Sequence, residues 1–179
     1  PDFVKNDAKY IYLISGSTLT IVDAYPAVSA SVLSRTELED TPREIFINGD
    51  RLVLIKTGSS DITFSSSPQR SDLSEKVAIM PPRYPYYRSA PVTHAVFYDI
   101  RDRAHPKLVK DFTIDGDYVN ARMIDNTVYL LSRESVYPYD DRIIVPSVRE
   151  SAQVIMAPDV YYFDNPEPQY DFTTITSFD

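Results

Sequence analysis

Side chains suited to acid–base catalysis are scarce, because the sequence contains only two histidines, His94 and His105. A serine or threonine nucleophile usually needs such a base beside it, oriented by a third group. Neither histidine lies near a nucleophile motif, no Gly-x-Ser-x-Gly elbow occurs, and the chain has no cysteine. The sequence therefore predicts no catalytic residues and two ordinary surface or turn histidines.

Carboxylates recur at one place in the sequence pattern, as Asp23, Asp99 and Asp164 near the ends of apolar runs. Two carboxyls that flank one bond could hydrolyse a glycoside. A repeated turn, in which each Asp accepts backbone N–H bonds, gives the same recurrence and needs no chemistry. We interpret the three as structural repeat positions, with a hydrolase or lyase of polysaccharides or peptides as the alternative.

Metal and cofactor sites are not indicated. Asp115-Gly116-Asp117 and Asp140-Asp141 are acidic, but Ca²⁺ takes about six to eight oxygens and neither stretch has the spaced ligand series of a calcium loop. The first stretch is predicted to be a turn, since Asp and Gly are typical turn residues. Four scattered glycines cannot form a phosphate-binding loop. We expect no metal and no cofactor.

Tyrosine and arginine residues form the best candidate for a binding site. Prolines stiffen the stretch from 81 to 88, and tyrosine rings offer a large contact area with little entropy to lose. The alternative is that the rings fold back over a sheet. The candidate ligand-binding residues, for a protein or a glycan, are Arg83, Tyr84, Tyr86, Tyr87, Arg88, Tyr137 and Tyr139.

The composition indicates that strands position these residues. The chain has 14 Tyr and 8 Phe, and 14 Pro against four Gly. Aromatic and β-branched residues fit pleated, half-buried surfaces, whereas frequent proline interrupts helices. The sequence therefore predicts an all-β protein of short strands joined by stiff loops.

An internal repeat organises these strands into three units. Each unit has an apolar run, a turn and a second apolar run, followed later by a strand with a fixed Asp and then a fourth strand. Asn48-Gly49 between two apolar runs is a strong hairpin signal. The predicted units are 1–41, 42–117 with an insertion at about 57–92, and 118–179 with an insertion at about 132–159. In the third unit we assign 160–166 to the third strand and 172–176 to the fourth.

The second strands are nearly continuous apolar runs, Leu52–Ile55 and Val128–Leu131. Such a strand is typically covered on both faces, as in a propeller blade between its neighbours. The predicted fold is thus an all-β fragment of a β-propeller, with about three four-stranded antiparallel blades and two long insertions between strands.

Charge and size limit the partners. The net charge is −8 and the 18 Lys and Arg are scattered, so a nucleic-acid partner is not expected. No apolar run approaches the roughly 20 residues of a membrane-spanning helix. Propellers close with about four to eight blades, so we expect three blades to pack against the remainder of a longer chain or to self-associate.

Several stretches resemble a family of secreted or cell-surface proteins, mainly archaeal and bacterial, whose β-propeller domain is distantly related to WD-repeats. They are 21–26, 41–46, 118–124 and 160–166, which together touch all three units. The resemblance implies an extracellular or cell-surface location and a longer parent protein. It brings no catalytic residues, and we expect a non-enzymatic binding or scaffold module whose ligand is unknown.

Overall fold

The computed structural model describes residues 3–64, 86–136, 145–151, 153–156, 158–162, 164 and 170–179. These residues form antiparallel β-sheets with one short 3-10 turn at Ala27–Ser29 and no α-helix, so the predicted all-β fold is confirmed. The strands are β1 (Val4–Asn6), β2 (Tyr10–Ser15), β3 (Thr18–Asp23), β4 (Ser31–Glu37), β5 (Glu44–Asn48), β6 (Arg51–Phe64), β7 (Tyr86–Asp99), β8 (Lys107–Asp115), β9 (Asp117–Ile124), β10 (Thr127–Ser135), β11 (Val148–Glu150), β12 (Gln153–Met156) and β13 (Asp171–Phe178). No helix in the described residues is long and apolar enough to cross a membrane.

The strands form three sheets. The first has the order β1-β2-β3-β4, the second β12-β11-β8-β7-β6-β5 and the third β13-β10-β9. Two-residue loops join β5 to β6 and β9 to β10, and their first residues, Gly49 and Asp125, both have positive φ. This conformation matches the twist of antiparallel hairpins. The predicted hairpin at Asn48-Gly49 is therefore confirmed.

Two apolar clusters lie between the sheets. The first junction, between the first and second sheets, buries Tyr12, Ile14, Leu19, Ile21, Ile45, Leu52, Leu54, Val96 and Ile100. The second junction, between the second and third sheets, buries Phe46, Val53, Ile55, Ala95, Ile114, Ala121, Val128, Leu130 and Val148. The second sheet is thus covered on both faces.

The alternation along β6 shows how one apolar run serves both junctions. Leu52 and Leu54 belong to the first junction, whereas Val53 and Ile55 belong to the second. Successive side chains of a strand point to opposite faces, so a strand between two neighbours must be apolar throughout. The interpretation of Leu52–Ile55 is confirmed. In β10 the same pattern is covered on one face only, since Val128 and Leu130 are buried while Tyr129 is exposed.

The insertions differ from their predicted form. The stretch assigned to the first insertion, about 57–92, continues as strand at both ends, because β6 runs to Phe64 and β7 begins at Tyr86. The stretch from 132 to 159 contains the hairpin β11–β12, which pairs with β8 and so extends the second sheet rather than the third. Asp115 fixes this hairpin, because its carboxylate accepts bonds from the Arg149 guanidinium and the Ser147 N–H.

The third sheet also differs from its predicted order. Residues 160–162 lie outside any strand, and Tyr161 and Tyr162 are 89% and 85% exposed. The strand β13, part of which we assigned to the fourth place, pairs directly with β10 and so occupies the third place. Extended structure at 160–162 would be stabilised by little packing, because these residues are exposed. The strand β13 instead pairs with β10 along its whole length, which places it third in the sheet.

Candidate functional site

The candidate binding residues map to one end of the second sheet, as far as the structure describes them. The backbone of Tyr86, Tyr87 and Arg88 lies in β7, where it pairs with residues 62–64 of β6. Arg83, Tyr84, Tyr137 and Tyr139 lie outside the described residues. Three of the seven candidates therefore belong to a hairpin, not to the irregular loop that the prolines suggested.

This hairpin projects beyond its sheet. β5 pairs with β6 only as far as Ile55, and β8 pairs with β7 only from Val92 onward. Among the described strands, residues 59–64 and 86–91 pair only with each other, and we call them the arm. The arm is packed at its base, where Ala90 is buried and the Pro91 carbonyl contacts Gly116. At about 3.3 Å per residue, six residues carry the end of the arm roughly 20 Å beyond the sheet.

The base of the arm is anchored to the turn between β8 and β9. The fully buried Thr93 donates its hydroxyl to the Gly116 carbonyl at 2.9 Å, and the Gly116 N–H donates to the Pro91 carbonyl at 3.0 Å. Gly116 has φ +102°, and a Cβ there would lie 2.9 Å from the Arg133 carbonyl oxygen. Only glycine fits such a position. The Asp115-Gly116-Asp117 stretch is thus the predicted turn, and its glycine ties the arm to both sheets.

His94 lies beside the base of the arm and is held in a structural role. Its Nδ1 is 2.9 Å from Asp111 Oδ1, and a Cβ on Gly58 would lie 3.3 Å from its Nε2. One ring nitrogen is therefore occupied by a carboxylate and the other faces the backbone of β6. His105 is exposed and pairs with Asp102, three residues before it in the same turn. The Thr113 hydroxyl lies 3.4 Å from His94 Nδ1, the same nitrogen that contacts the Asp111 carboxylate.

A charged cluster surrounds Lys56 on the outer side of the first junction. Its ammonium lies 3.2 Å from Glu39, 3.7 Å from Asp40 and 3.9 Å from Asp111, and the side chain is 12% exposed. One half-buried cation that several carboxylates share is well placed to fix a strand connection. The cluster links the connection before β5 to the strands β6 and β8. Sequence analysis missed it, because its members lie far apart along the chain.

The repeated Asp positions are defined by strand register. Asp23 ends β3 opposite Tyr10, the first residue of β2, and Asp99 ends β7 opposite Arg51, the first residue of β6. In the third sheet Val128 pairs with Phe178, which places Asp179 opposite Thr127, the first residue of β10. The Thr127 hydroxyl donates to Asp179 Oδ1 at 2.7 Å. The structure thus assigns the third position to Asp179, whereas the predicted Asp164 lies outside any strand.

Asp23 and Asp99 each bind a local cation, and Asp99 and Asp179 both line one cavity, which is described below. Asp23 is 3.0 Å from the Lys9 ammonium, and the Asp99 carboxylate accepts bonds from the Arg101 guanidinium. Hydrogen bonds from Arg101 lower the pKa of Asp99 to about 2. Asp99 therefore stays ionised at neutral pH, and the ion pairs of Asp23 and Asp99 each tie the end of a third strand to a neighbouring turn.

A cavity of about 800 Å³ opens at the outer side of the second junction. The rings of Phe97, Phe112 and Phe178 pack together beside it, with centroids 5.1 to 5.7 Å apart. The hairpin β11–β12 contributes further apolar lining through Ile155 and Met156. Charged residues also line it, among them Asp50, Arg51, Asp99, Arg101 and Asp179. The lining thus combines apolar side chains with charged ones, as ligand pockets do.

Comparison with known proteins gives one result. No curated protein and no solved structure matches the chain. A family model described as a beta propeller domain matches residues 1–179. The match covers the whole chain and agrees with the antiparallel sheets and with their packing through two successive junctions. The chain therefore belongs to the β-propeller domain family.

Proposed function

We propose that this protein is a non-enzymatic binding or scaffold module on the cell exterior, and that the arm presents aromatic side chains to a protein or glycan ligand. The observation that carries the proposal is the projection of the arm. Residues 59–64 and 86–91 extend the second sheet by a two-stranded ribbon that leads directly to the stretch 81–88. A ribbon anchored at its base holds a recognition segment away from the scaffold, where a large partner can reach it.

The placement of the polar groups supports binding over catalysis. Asp23 and Asp99 each bind a cation of their own turn, and His94 is held between Asp111 and Gly58. A glycosidase would need two carboxyls about 5 to 9.5 Å apart across one bond, with one pKa raised. The pKa of Asp99 is instead lowered.

The exterior location rests on the resemblance to secreted and cell-surface propeller proteins, and it accords with a surface-presented arm. We propose further that the chain packs against other parts of a longer polypeptide or against copies of itself. Ile11 and Leu13 on the first sheet, and Tyr129 and Ile175 on the third, are exposed apolar residues. They occupy the positions that Leu52, Leu54, Val53 and Ala95 hold in the second sheet, where both faces are covered.

An arm-specific variant tests the ligand proposal. Tyr84, Tyr86 and Tyr87 are changed together to Ser, and binding to glycan and peptide arrays is compared with that of the parent chain. Tyr161→Ser with Tyr162→Ser is the matched control, because both rings are exposed and far from the arm in sequence. We expect the arm variant to lose at least tenfold in affinity for the array ligand and the control to retain it.

Two outcomes would contradict the proposal. Equal loss in both variants would show that exposed tyrosines bind without specificity. Turnover of an arrayed glycan or peptide that survives in the arm variant would favour the hydrolase or lyase alternative. Thermal unfolding of each variant checks that the scaffold is intact.

A further inference from the structure

A separate cavity of about 720 Å³ opens where the first strands of the three sheets, β1, β5 and β9, come together. Neither the arm nor β13 contributes to its lining. The apolar part of the lining includes Phe46 and Met123. Its polar and charged side chains are Lys5 and Asn6 from β1, Glu44 from β5, Asn120 and Arg122 from β9, and Asp125 from the β9–β10 turn. All three sheets therefore contribute polar groups to one site.

Two of these residues are cations at one position of the repeat. Lys5 in the first sheet and Arg122 in the third are equivalent to Phe46 in the second, which is 9% exposed. The register gives this equivalence, because each of the three pairs with the residue that lies two positions after the one opposite the repeat Asp, namely Tyr12, Tyr129 and Val53. A phenyl ring fills this position in the second sheet, so the repeat itself does not require a positive charge there. Both cations line the same cavity.

The Arg122 side chain is exposed and makes no hydrogen bond or ion pair with any residue that the structure describes. The side-chain amides of Asn6 and Asn120 likewise have no hydrogen-bond partner within the described part of the chain. Carboxylates bind four other guanidinium groups, those of Arg101, Arg103, Arg133 and Arg149. A guanidinium presents its donors as a fork that matches a carboxylate, and an amide can both donate to and accept from hydroxyl groups. The cavity therefore offers a charged fork and two amides to a ligand.

The charges around the cavity limit the charge of that ligand. Lys5 and Arg122 each carry a positive charge, whereas Glu44 and Asp125 each carry a negative one, so the formal charges of the lining cancel. The Glu44 carboxylate already accepts a hydrogen bond from the Tyr118 hydroxyl. A doubly charged phosphate would be repelled by both carboxylates, whereas a ligand carboxylate carries a single charge. A singly charged ligand with hydroxyl groups therefore fits the lining better than a phosphate does.

We propose that this cavity binds an acidic sugar, a uronic acid, whose carboxylate is held between Arg122 and Lys5. The amides of Asn6 and Asn120 bond with the hydroxyl groups of the sugar. The acidic side chain of a peptide would reach the same guanidinium, but its methylene stem would face the amides without bonding to them. The proposal goes beyond the proposed function, because the arm contributes no residue to the cavity.

Titration of the 179-residue chain with sodium D-glucuronate, followed by NMR, tests the proposal. We expect saturable shifts of the Arg122 Nε–H resonance and of the Asn120 side-chain amide. D-glucose, which has the hydroxyl groups but no carboxylate, is the matched ligand control. Glucose is expected to bind about tenfold more weakly or not at all, because hydrogen bonds between charged groups are about twice as strong as neutral ones.

Substitution of the guanidinium identifies the site. Arg122→Gln is expected to weaken glucuronate binding about tenfold, because the charged fork is lost. Arg35→Gln, at an exposed arginine of β4, changes the net charge equally and is expected to retain the affinity. Arg122→Lys keeps the charge without the fork and is expected to give an intermediate affinity. The melting temperatures of the three variants are expected to stay within about 2 °C of the parent value, since both arginines are exposed.

Several results would overturn the inference. Equal weakening by Arg122→Gln and Arg35→Gln would show that binding follows net charge alone, and equal binding of glucose would show that the carboxylate is not recognised. The absence of a saturable shift at Arg122 would exclude the cavity as the site. Tighter binding of N-acetylglutamate amide than of glucuronate would identify a peptide as the ligand. The variant with Tyr84, Tyr86 and Tyr87 changed to Ser is expected to bind glucuronate as the parent does, so failure here and failure of the arm are distinguishable.

Discussion

The two junctions are built from the same repeat, but they are closed to different degrees. At the first junction Leu33 and Leu38, from β4 and the residue after it, pack against the buried cluster. Arg103 closes one end, where its guanidinium contacts Asp50 at 2.6 Å and the Gly49 carbonyl at 3.0 Å. The second junction has no described fourth strand on its third-sheet side, and a cavity of about 800 Å³ opens there. In the described residues the first junction is therefore more completely packed than the second.

The largest effect is expected where the first junction is completely buried. Leu52 is fully buried between Tyr12, Ile21 and their neighbours, so Leu52→Ala leaves a cavity that the sheets cannot easily fill. We expect a loss of about 2–5 kcal/mol in the free energy of unfolding, measured by urea denaturation.

The matched variant at the second junction is Phe178→Ala. Phe178 is only partly buried and already borders open space, so a smaller loss than for Leu52→Ala is expected in the same experiment. An equal or larger loss at Phe178 would show that the second junction is as tightly packed as the first.

The next largest loss of stability is expected from the hydrogen bonds of Arg103, which cover one end of the first junction. Arg103→Ala removes a largely buried guanidinium together with its ion pair to the exposed Asp50, its bond to Gly49 and its bond to the Tyr12 hydroxyl. We expect about 2 kcal/mol of destabilisation, since charge-assisted bonds in a partly buried network are costly to remove. Arg122→Ala, an exposed arginine on the third sheet, is the control, with no change beyond about 0.5 kcal/mol.

A smaller effect is expected at the inner side of the second junction. The Tyr118 hydroxyl donates to Glu44 Oε1 at 2.5 Å and thereby joins β9 to β5. Burial of the ring, together with Glu44, raises the pKa of Tyr118, so this hydroxyl stays protonated as a donor at neutral pH. Tyr118→Phe is expected to cost about 1 kcal/mol in urea denaturation. A loss below the error of the measurement would show that Glu44 is equally well solvated without this bond.

The smallest effect is a pH dependence at the turn after β7. Hydrogen bonds from Arg101 lower the pKa of Asp99 to about 2, below the ordinary value of 3.8. The stability that this pair contributes is therefore complete above pH 4 and is lost as the pH falls toward 2. Arg101→Gln is expected to raise the pKa of Asp99, measured by NMR titration, and to flatten the decline of the melting temperature between pH 4 and pH 2. An unchanged Asp99 titration in this variant would contradict the assignment.

Much of the fold could be predicted from residue patterns. The apolar run Leu52–Ile55 indicated a strand covered on both faces, and the structure covers both. The Asn48-Gly49 hairpin follows from local turn chemistry, which acts within a few residues. The hairpin β11–β12 was not predictable in this way, because the bonds that Arg149 and Ser147 make with Asp115 join residues more than thirty positions apart.

The repeat Asp in the third sheet shows where prediction from local pattern ends. Two stretches of the sequence have the same local pattern, because each ends in Phe-Asp: Tyr162-Phe163-Asp164 and Ser177-Phe178-Asp179. Pairing with β10 selects the second, because it places Phe178 beside Val128 and within the aromatic contacts of the second junction. The candidate binding residues show the same limit, since their sequence indicated recognition but not a projecting arm.

The sequence by itself determined the strands, their tight turns and the existence of a repeat, because these depend on alternation and backbone preference within a few residues. The tertiary structure alone decided which strand became the third of its sheet, which sheet received the β11–β12 hairpin, and how far the arm projects. These outcomes depend on which distant strand offers a complementary edge and a buried face, and such pairing energies have no local signature in the chain.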